Sequence, residues 1–231
     1  MAFQPIYDAP AGQVFAYEAL VRGLDGSGAD SILAATDERN RYAFDQRCRV
    51  RAIELAASLG IADRGAFVSI NFLPNAIYRP EVCIRTTLET ARRVGFPTEN
   101  IIFEFTENQQ IKEPDRVLEI IQAYRKMGFK TAIDDFGAGY AGLNLLAVFQ
   151  PDLIKLDMQL VRGIDSDPIK RSIVAGIVVV CRDLGIRMIA EGIETAEELA
   201  CLRDLGIDLL QGFLLARPSF EALPQVVPLQ A

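Results

Sequence analysis

The sequence predicts an α/β barrel of eight strands whose first strand runs antiparallel to the other seven. Three observations support this prediction: a helix-ending motif that recurs along the chain, a β-rich run after each copy of it, and a tight connection between the first two strands. The chain has 231 residues, of which 50% are hydrophobic, and this is enough to form one large core. We therefore expect a single domain over residues 1–231, with residues 221–231 as a C-terminal extension.

The recurring motif places a glycine between two apolar residues at the end of each predicted helix. A glycine there can take a positive φ, and the apolar residue after it can fold back onto the helix, as in a Schellman motif. The five glycines are Gly60, Gly95, Gly128, Gly185 and Gly206. The corresponding helices are predicted over residues 37–59, 80–94, 114–127, 168–184 and 196–205.

Two of these helices also have a recognisable start. Asp167 precedes Pro168, which is the pattern of an N-cap residue followed by proline at the first helical position. Thr195 and Glu198 have the spacing of a capping box, in which each side chain accepts a hydrogen bond from the other residue's backbone.

A β-rich run follows each of the five glycines, and three further runs complete a set of eight. The five runs are AFVSIN, NIIFEF, KTAIDD, RMIAE and IDLLQG, the sixth is DLIKLD, and FQPIYD and QVFAYEALVR open the chain. Only residues 8–12 separate the first two runs. A parallel crossover needs a longer connection, so these two strands are predicted to form a hairpin.

Polar residues lie at the C-terminal ends of most of the predicted strands. In a parallel barrel the C-terminal ends of the strands converge on one face, so residues far apart in sequence become neighbours there. These residues are Glu18, Asn71, Glu104, Asp134, Asp135, Lys155 and Glu191. Any one of the carboxylates can be an ordinary loop charge or helix cap. That interpretation would have to hold independently at every strand end, so the series favours a functional site.

Composition excludes several classes of function. The net charge of −7 and the pI near 4.8 argue against a basic footprint for polymeric nucleic acid. The composition does not exclude binding of a small phosphorylated ligand whose charge is neutralised by metal ions. The four cysteines form no CxxC pair and histidine is absent, which argues against a zinc site of the usual kind. We expect a cytoplasmic protein without membrane insertion, since no apolar stretch is long enough to span a bilayer.

Seven motifs occur in an order that resembles the EAL domain family of cyclic di-GMP phosphodiesterases. They are EAL at residues 18–20, Asn71, EFTE at 104–107, DDFGAGY at 134–140, KLD at 155–157, AEGIE at 190–194 and QGF at 211–213. The resemblance implies a modified (β/α)8, TIM-like barrel that hydrolyses cyclic di-GMP to linear pGpG with Mg²⁺ or Mn²⁺. It also implies a homodimer and leaves room for a sensor domain outside this chain.

The resemblance further implies a role for each residue of the site. One ion would be held by Glu18, Asn71, Glu104 and Asp134, and a second by Asp134, Asp135 and Glu191. The catalytic residues would be Lys155, Glu191 and Asp135, and the substrate-binding residues Gln4, Asp157 and Gln211. Arg22, four residues past Glu18, is assigned to substrate binding on chemical grounds, because a guanidinium group can bind phosphate oxygens with two hydrogen bonds. Glu107 would bind no metal but would steady the glycine-containing loop over residues 136–142.

This ligand set is chemically consistent with phosphodiester hydrolysis. Without a histidine base, two hard cations can activate water and stabilise the departing oxygen, and hard cations prefer oxygen ligands. One geometric condition follows for the neighbouring pair Asp134 and Asp135. Adjacent residues of a regular strand point to opposite faces, so both can reach one site only if the strand ends there.

Several alternatives stay open at the level of the sequence. Lys155 can hydrogen-bond the attacking water or stabilise phosphate charge, but a barrel lysine can also form a Schiff base, as in aldolases. Asp157 can anchor a turn instead of contacting a ligand, and Asn71 can cap the chain leaving its strand. At the level of function, the alternatives are a catalytically silent cyclic di-GMP receptor and a metal-dependent lyase or aldolase. No ligand of the family set is missing, which favours the active enzyme.

Overall fold

The structure is a computed structural model that describes residues 1–23, 25–34, 36–37, 40–72, 84–106, 114–139 and 142–226. Its strands are β1 (Ala2–Asp8), β2 (Gln13–Leu20), β3 (Phe67–Asn71), β4 (Ile101–Thr106), β5 (Lys130–Phe136), β6 (Leu153–Leu156), β7 (Arg187–Ala190), β8 (Leu209–Leu210) and β9 (Ser219–Phe220). Its helices are α1 (Ala29–Ala34), α2 (Arg41–Ser58), α3 (Arg85–Val94), α4 (Pro114–Lys126), α5 (Gly142–Val148), α6 (Met158–Val161), α7 (Pro168–Leu184) and α8 (Ala196–Asp204).

Strands β1 to β8 close into a barrel, which confirms the predicted fold. Strands β2 to β8 pair in chain order and in parallel, and β1 joins β8 to β2 by pairing antiparallel with both. The β1–β2 connection is a tight turn, in which the Gly12 amide donates to the Asp8 carbonyl at 2.9 Å. The short strand β9 lies beyond the predicted set and pairs with the beginning of β1.

All five predicted helix ends carry the hydrogen bonds of a Schellman motif. At the end of α7, for example, the Ile186 amide donates to the Cys181 carbonyl at 2.8 Å and the Gly185 amide to the Arg182 carbonyl at 3.2 Å. The five motif glycines have φ values between +66° and +94°. Only glycine enters this region at no steric cost, so each sets the point at which the chain turns from helix to strand.

The helix starts agree less closely with the sequence prediction. Helix α2 begins at Arg41 instead of residue 37, and α3 begins at Arg85, while residues 80–83 lie outside the described chain. Helices α1, α5 and α6 were not predicted, because six, seven and four residues are too few to show a helical period. Among the described helices, none combines the length and the apolar character needed to cross a bilayer.

The barrel interior is apolar at one end and polar at the other. Residues two positions apart on a strand face the same side, so each strand can place an apolar and then a polar side chain inside the barrel. An apolar residue faces the interior, and the residue two positions further on belongs to the candidate site. The pairs are Ala16 and Glu18, Ile102 and Glu104, Ala132 and Asp134, Leu153 and Lys155, Ile189 and Glu191, and Leu209 and Gln211. On the reversed strand β1 the order is inverted, with Gln4 before Ile6. The site therefore rests on a layer of buried aliphatic side chains.

Helix α8 begins with the predicted capping box, which also ties two loops of this face together. Thr195 Oγ1 accepts a hydrogen bond from the Glu198 amide at 3.2 Å. The Glu198 carboxylate accepts from the amides of Thr195 at 3.2 Å, Glu194 at 3.0 Å and Gly163 at 2.8 Å. Burial opposes ionisation of Glu198, but these three backbone donors hold its pKa below the ordinary value.

We expect Glu198→Gln to lower the free energy of unfolding by about 1–3 kcal/mol, since buried amide donors lose a charged acceptor. Because the folded pKa is depressed, this contribution is complete above the unfolded pKa of about 4.3 and is lost as the pH falls through the folded pKa. Urea unfolding at pH 7 and at pH 3 measures the difference. The exposed neighbour Glu197 provides the control variant Glu197→Gln. Equal stability of the two variants at pH 7 would contradict this role of Glu198.

Candidate functional site

A pocket of about 660 Å³ opens at the C-terminal ends of the barrel strands. Its floor is formed by the strand-end residues and its wall by the loops that follow β2, β6, β7 and β8. The lining includes Glu18, Asp134, Asp135, Lys155, Glu191 and Gln211. The volume lies within the range of about 300–1,000 Å³ that is usual for small-molecule sites.

Lys155 lies at the centre of the site and contacts four carboxylates. Its Nζ is 2.5 Å from Glu191 Oε1, 3.0 Å from Glu104 Oε2, 3.0 Å from Asp134 Oδ1 and 3.3 Å from Glu18 Oε2. The Lys155 side chain is only 1% exposed. Burial alone would lower the lysine pKa, but the surrounding carboxylates raise it well above its ordinary value. A Schiff base needs a neutral amine, so this environment argues against the aldolase interpretation.

The carboxylates carry more negative charge than one lysine compensates. Burial, together with Glu18 and Asp134, raises the pKa of Glu104 to about 8, although Lys155 opposes this shift. Burial and Asp134 raise the pKa of Glu191 well above its ordinary range, again against the effect of Lys155. Further positive charge is therefore needed to keep these groups ionised together.

The chain conformation at the end of β5 turns Asp135 toward Asp134. Asp135 has φ +55°, in the left-handed region that few residues other than glycine adopt, and the pairing of β5 with β6 shifts register between Ile133 and Phe136. Asp134, Asp135 and Glu191 consequently offer oxygen atoms within 4.8 Å of one another. Burial and the charges of Asp134 and Asp157 raise the pKa of Asp135 to about 6. Such a strained position is found where function requires it.

Ser69 is a residue of the site that the sequence analysis missed. It is fully buried in β3, and its Oγ donates a hydrogen bond of 2.5 Å to Glu104 Oε1. Two residues further along the strand, Asn71 Nδ2 donates to Glu18 Oε1 at 3.3 Å. The sequence did contain a signal for Ser69. It lies two residues before Asn71, and this spacing places both side chains on the interior face of β3.

Two glutamines connect strand β1 to the chain that follows β8. Gln211 Nε2 donates to Glu18 Oε2 at 2.7 Å and to Gln4 Oε1 at 3.3 Å, and Gln4 Nε2 donates to the Ala216 carbonyl at 3.2 Å. Gln211 Oε1 is buried and has no hydrogen-bond partner among the residues that the structure describes. A buried acceptor without a partner is costly, so this atom is suited to accept a hydrogen bond from a bound ligand.

The remaining predicted residues lie at the pocket wall. Arg22 lines the pocket, and its Nη1 donates to the neighbouring Val21 carbonyl at 2.7 Å. Asp157 lines the pocket and also caps α6, with Oδ1 accepting from the Gln159 amide at 2.8 Å. Asp157 therefore anchors a turn, as one of the two interpretations expected, and it also faces the pocket. Glu107 lies outside the described residues, so its predicted effect on the loop over residues 136–142 stays a prediction.

The rim of the pocket carries an ion pair and an aromatic ring that the sequence analysis did not assign. Arg162, in the loop after β6, pairs with Glu194, in the loop after β7. Phe213 is 46% exposed, and the Arg217 guanidinium lies 4.4 Å from its ring centroid.

The donor set fits hard divalent cations. Carboxylate and carboxamide oxygens are the ligands that such ions prefer, and neither cysteine nor histidine lines the described pocket. The excess of negative charge around Lys155 is a second, independent indication of cation binding.

Comparisons with known proteins agree with this site. The family model described as EAL domain matches residues 1–218. The chain is similar to a standalone versatile EAL protein from Vibrio cholerae O395 in its c-di-GMP bound form, with 51% identity and a TM-score of 0.94, over 99% of this chain and 95% of that one. It is also similar to BlrP1 from Klebsiella pneumoniae in a calcium and cyclic di-GMP complex, with 38% identity and a TM-score of 0.91, over 97% of this chain and 57% of that one.

Two curated relatives carry different functional names. The blue light- and temperature-regulated antirepressor BluF of Escherichia coli K12 is 32% identical over 225 residues, which are 97% of this chain and 55% of BluF. The cyclic di-GMP phosphodiesterase PdeR of Escherichia coli K12 is 44% identical over 115 residues, which are 50% of this chain and 17% of PdeR. The chain therefore spans about half or less of the length of these relatives.

Proposed function

The chain belongs to the EAL domain family, and from this membership we propose that it is a phosphodiesterase that hydrolyses cyclic di-GMP to linear pGpG with two divalent cations, Mg²⁺ or Mn²⁺. The observation that carries the proposal is the convergence of four carboxylates on one pocket, namely Glu18, Asp134, Asp135 in its left-handed conformation, and Glu191. Asn71 and Glu104 join this group through their contacts with Glu18 and Lys155. Similarity to a c-di-GMP-bound EAL protein and to a named cyclic di-GMP phosphodiesterase supports the choice of substrate.

The side chains fall into two groups that share Asp134. Glu18, Asn71, Glu104 and Asp134 would hold one cation, and Asp134, Asp135 and Glu191 the other. Such cations activate water and neutralise phosphate charge when they are bound. Ser69 aims the Glu104 carboxylate through its 2.5 Å hydrogen bond.

The other residues of the pocket orient the nucleotide and stabilise charge. Lys155 stays protonated and donates hydrogen bonds to the attacking water or to a phosphate oxygen as negative charge develops there. Arg22 can meet phosphate oxygens with two parallel hydrogen bonds. Gln211 presents its unpartnered Oε1 to a donor on the ligand, and Gln4 holds the Gln211 side chain in place.

The test is product analysis with purified protein. We expect chromatography to show conversion of cyclic di-GMP to pGpG in the presence of Mg²⁺ or Mn²⁺, and no conversion with EDTA. Binding of cyclic di-GMP without turnover under both metal conditions would contradict the enzyme assignment.

The similarity to an antirepressor over nearly the whole chain favours one second candidate, a catalytically silent cyclic di-GMP receptor. The retained donor set makes it the weaker choice. The same experiment separates the two, because a receptor binds the nucleotide and leaves it intact.

We also propose that the protein forms a homodimer through helix α7. One face of α7 packs on the barrel with Val174, Val178 and Cys181 buried. A different, exposed face carries an apolar stripe, defined here as Ile169, Ile173, Gly176, Val180 and Leu184. The exposed fractions of its four side chains are 71%, 47%, 37% and 44%. An apolar stripe on the outer face of a helix indicates a protein contact, and a second copy would cover it by symmetry.

We expect Ile173→Glu to weaken dimerisation by roughly 10- to 100-fold, because a charge would be buried at the centre of the stripe. Val179 provides a matched control, since it is 52% exposed on the same helix but lies about 120° around the axis from Ile173. Sedimentation velocity across a concentration series measures both variants. If Val179→Glu dissociates the protein as strongly as Ile173→Glu, the stripe is not the interface.

A further inference from the structure

The ammonium group of Lys155 occupies the space between the carboxylates that are suited to bind cations. Four carboxylates converge on it within 3.3 Å, from strands β2, β4 and β5 and from the residue after β7. Lys155 is the only cationic side chain that contacts these carboxylates within the described residues. The Glu104 and Glu18 side chains are 0% and 7% exposed, so water screens this charge poorly.

We propose that Lys155 is an internal counter-cation that replaces metal in the metal-free protein and that divalent cations must displace from the carboxylates. The inference rests on the metal site of the proposed function, but it does not depend on nucleotide hydrolysis. It assigns Lys155 a role before any substrate is present, separate from its role in the reaction.

The reason is the cost of leaving buried carboxylates unpaired. A buried charge without a partner destabilises the folded state strongly, whereas a charge that is paired and hydrogen-bonded costs much less. The lysine stem is long and flexible and ends in a compact charge with three donors. It can therefore reach into the cluster when metal is absent and withdraw when metal enters.

The same carboxylates would serve both cations, which makes their binding competitive. Asp134 Oδ1 and Glu191 Oε1 contact Lys155 at 3.0 Å and 2.5 Å, and both residues belong to the group of three that can hold a metal ion. A metal ion and an ammonium group repel each other and cannot share these oxygens at contact distance. The apparent metal affinity is then reduced by the fraction of molecules in which the ammonium group holds the site.

The experiment compares wild type with Lys155→Met, whose side chain has similar length and no charge. Calorimetric titration of nucleotide-free protein should show a dissociation constant for Mg²⁺ that is lower than in wild type by about 3- to 10-fold, as expected for removal of a competing state. In EDTA, where no metal can replace the lost charge, Lys155→Met should be less stable than wild type, and thermal unfolding should show a lower melting temperature for the variant. The rise in melting temperature on adding Mg²⁺ should be larger for Lys155→Met than for wild type.

Arg162 provides the matched control, because it lines the same pocket but pairs with Glu194 and does not contact the central carboxylates. Arg162→Met removes the same unit of charge from the pocket. An equal gain in Mg²⁺ affinity in both variants would overturn the proposal, since general electrostatics would then explain it. Unchanged or weaker Mg²⁺ binding in Lys155→Met would also overturn it.

A second variant covers the case in which Lys155→Met does not fold in EDTA. Lys155→Gln is uncharged but can donate hydrogen bonds to the carboxylates, and the same two measurements apply to it. Because neither measurement involves cyclic di-GMP, a failure to hydrolyse the nucleotide leaves the result interpretable. Conversely, an active enzyme whose Mg²⁺ affinity does not respond to Lys155 would contradict only the counter-cation role.

Discussion

Asp134→Asn is expected to lower the rate of cyclic di-GMP hydrolysis by at least about 10²-fold while leaving the fold nearly intact. Replacing groups that merely support metal ligands already costs about 10- to 100-fold in metal affinity or activity. Asp134 is the one residue proposed to touch both cations, so its loss should disturb both positions. An asparagine keeps the shape of the side chain but offers one neutral oxygen instead of two charged ones.

The structural effect of this substitution should be small. The Asp134 side chain is 12% exposed at the pocket floor, above the buried Ala132, and no packing space is created. The repulsion between Asp134 and its neighbours also falls when its charge is removed. We therefore expect a metal-free melting temperature close to that of wild type, together with weaker Mg²⁺ binding.

Steady-state hydrolysis across a Mg²⁺ titration measures the effect on activity. Asp208→Asn is a suitable control, because Asp208 is exposed and precedes β8 at the opposite end of the barrel. Hydrolysis by Asp134→Asn at a rate near that of wild type would contradict the two-metal assignment. A fall in activity of Asp208→Asn as large as that of Asp134→Asn would point to a general loss of folded protein.

The sequence was sufficient to predict the barrel because its signals are local and repeated. Each glycine that ends a helix is followed directly by a strand, and the strand ends bring their polar residues to one face. On each strand the site residue follows an interior apolar residue by two positions, as Lys155 follows Leu153, and this spacing depends only on strand geometry. The reversed first strand followed equally from the length of the turn that precedes β2.

The contacts within the site could not be predicted in the same way. The sequence analysis expected the fifth strand to end at Asp135, but β5 runs on to Phe136, and Asp135 reaches the site through its left-handed conformation and the shift in register. Ser69 was missed because serine in a strand is common, and its importance comes from facing Glu104 on a neighbouring strand. Such pairings depend on strand register, which the sequence constrains only through the buried face.

Lys155→Ala is expected to lower the rate at saturating nucleotide by about 10²–10³-fold, the range seen when a donor to developing negative charge is removed. The affinity for cyclic di-GMP should change far less. An interaction that strengthens only in the transition state contributes to kcat, whereas one that is already complete in the bound ground state contributes to binding.

Two roles of one lysine make this expectation unusually specific. As counter-cation, Lys155 opposes metal binding, so its removal should strengthen the binding of Mg²⁺. As donor to the reacting atoms, it promotes turnover, so its removal should slow the reaction even when metal saturates the site. Loss of a metal ligand such as Asp134 would instead weaken both metal binding and turnover.

Saturation kinetics with each variant, at Mg²⁺ concentrations well above the measured dissociation constants, separate these effects. We expect kcat to fall in Lys155→Ala under conditions in which metal occupancy is complete, and the nucleotide dissociation constant to stay within a few-fold of that of wild type. Weak nucleotide binding with an unchanged maximal rate would place Lys155 in ground-state recognition only. A rate fully restored by raising the Mg²⁺ concentration would contradict both roles of Lys155. It would show that Lys155 promotes metal occupancy instead of opposing it, and that it is not a positioned donor, because added cation cannot replace such a donor.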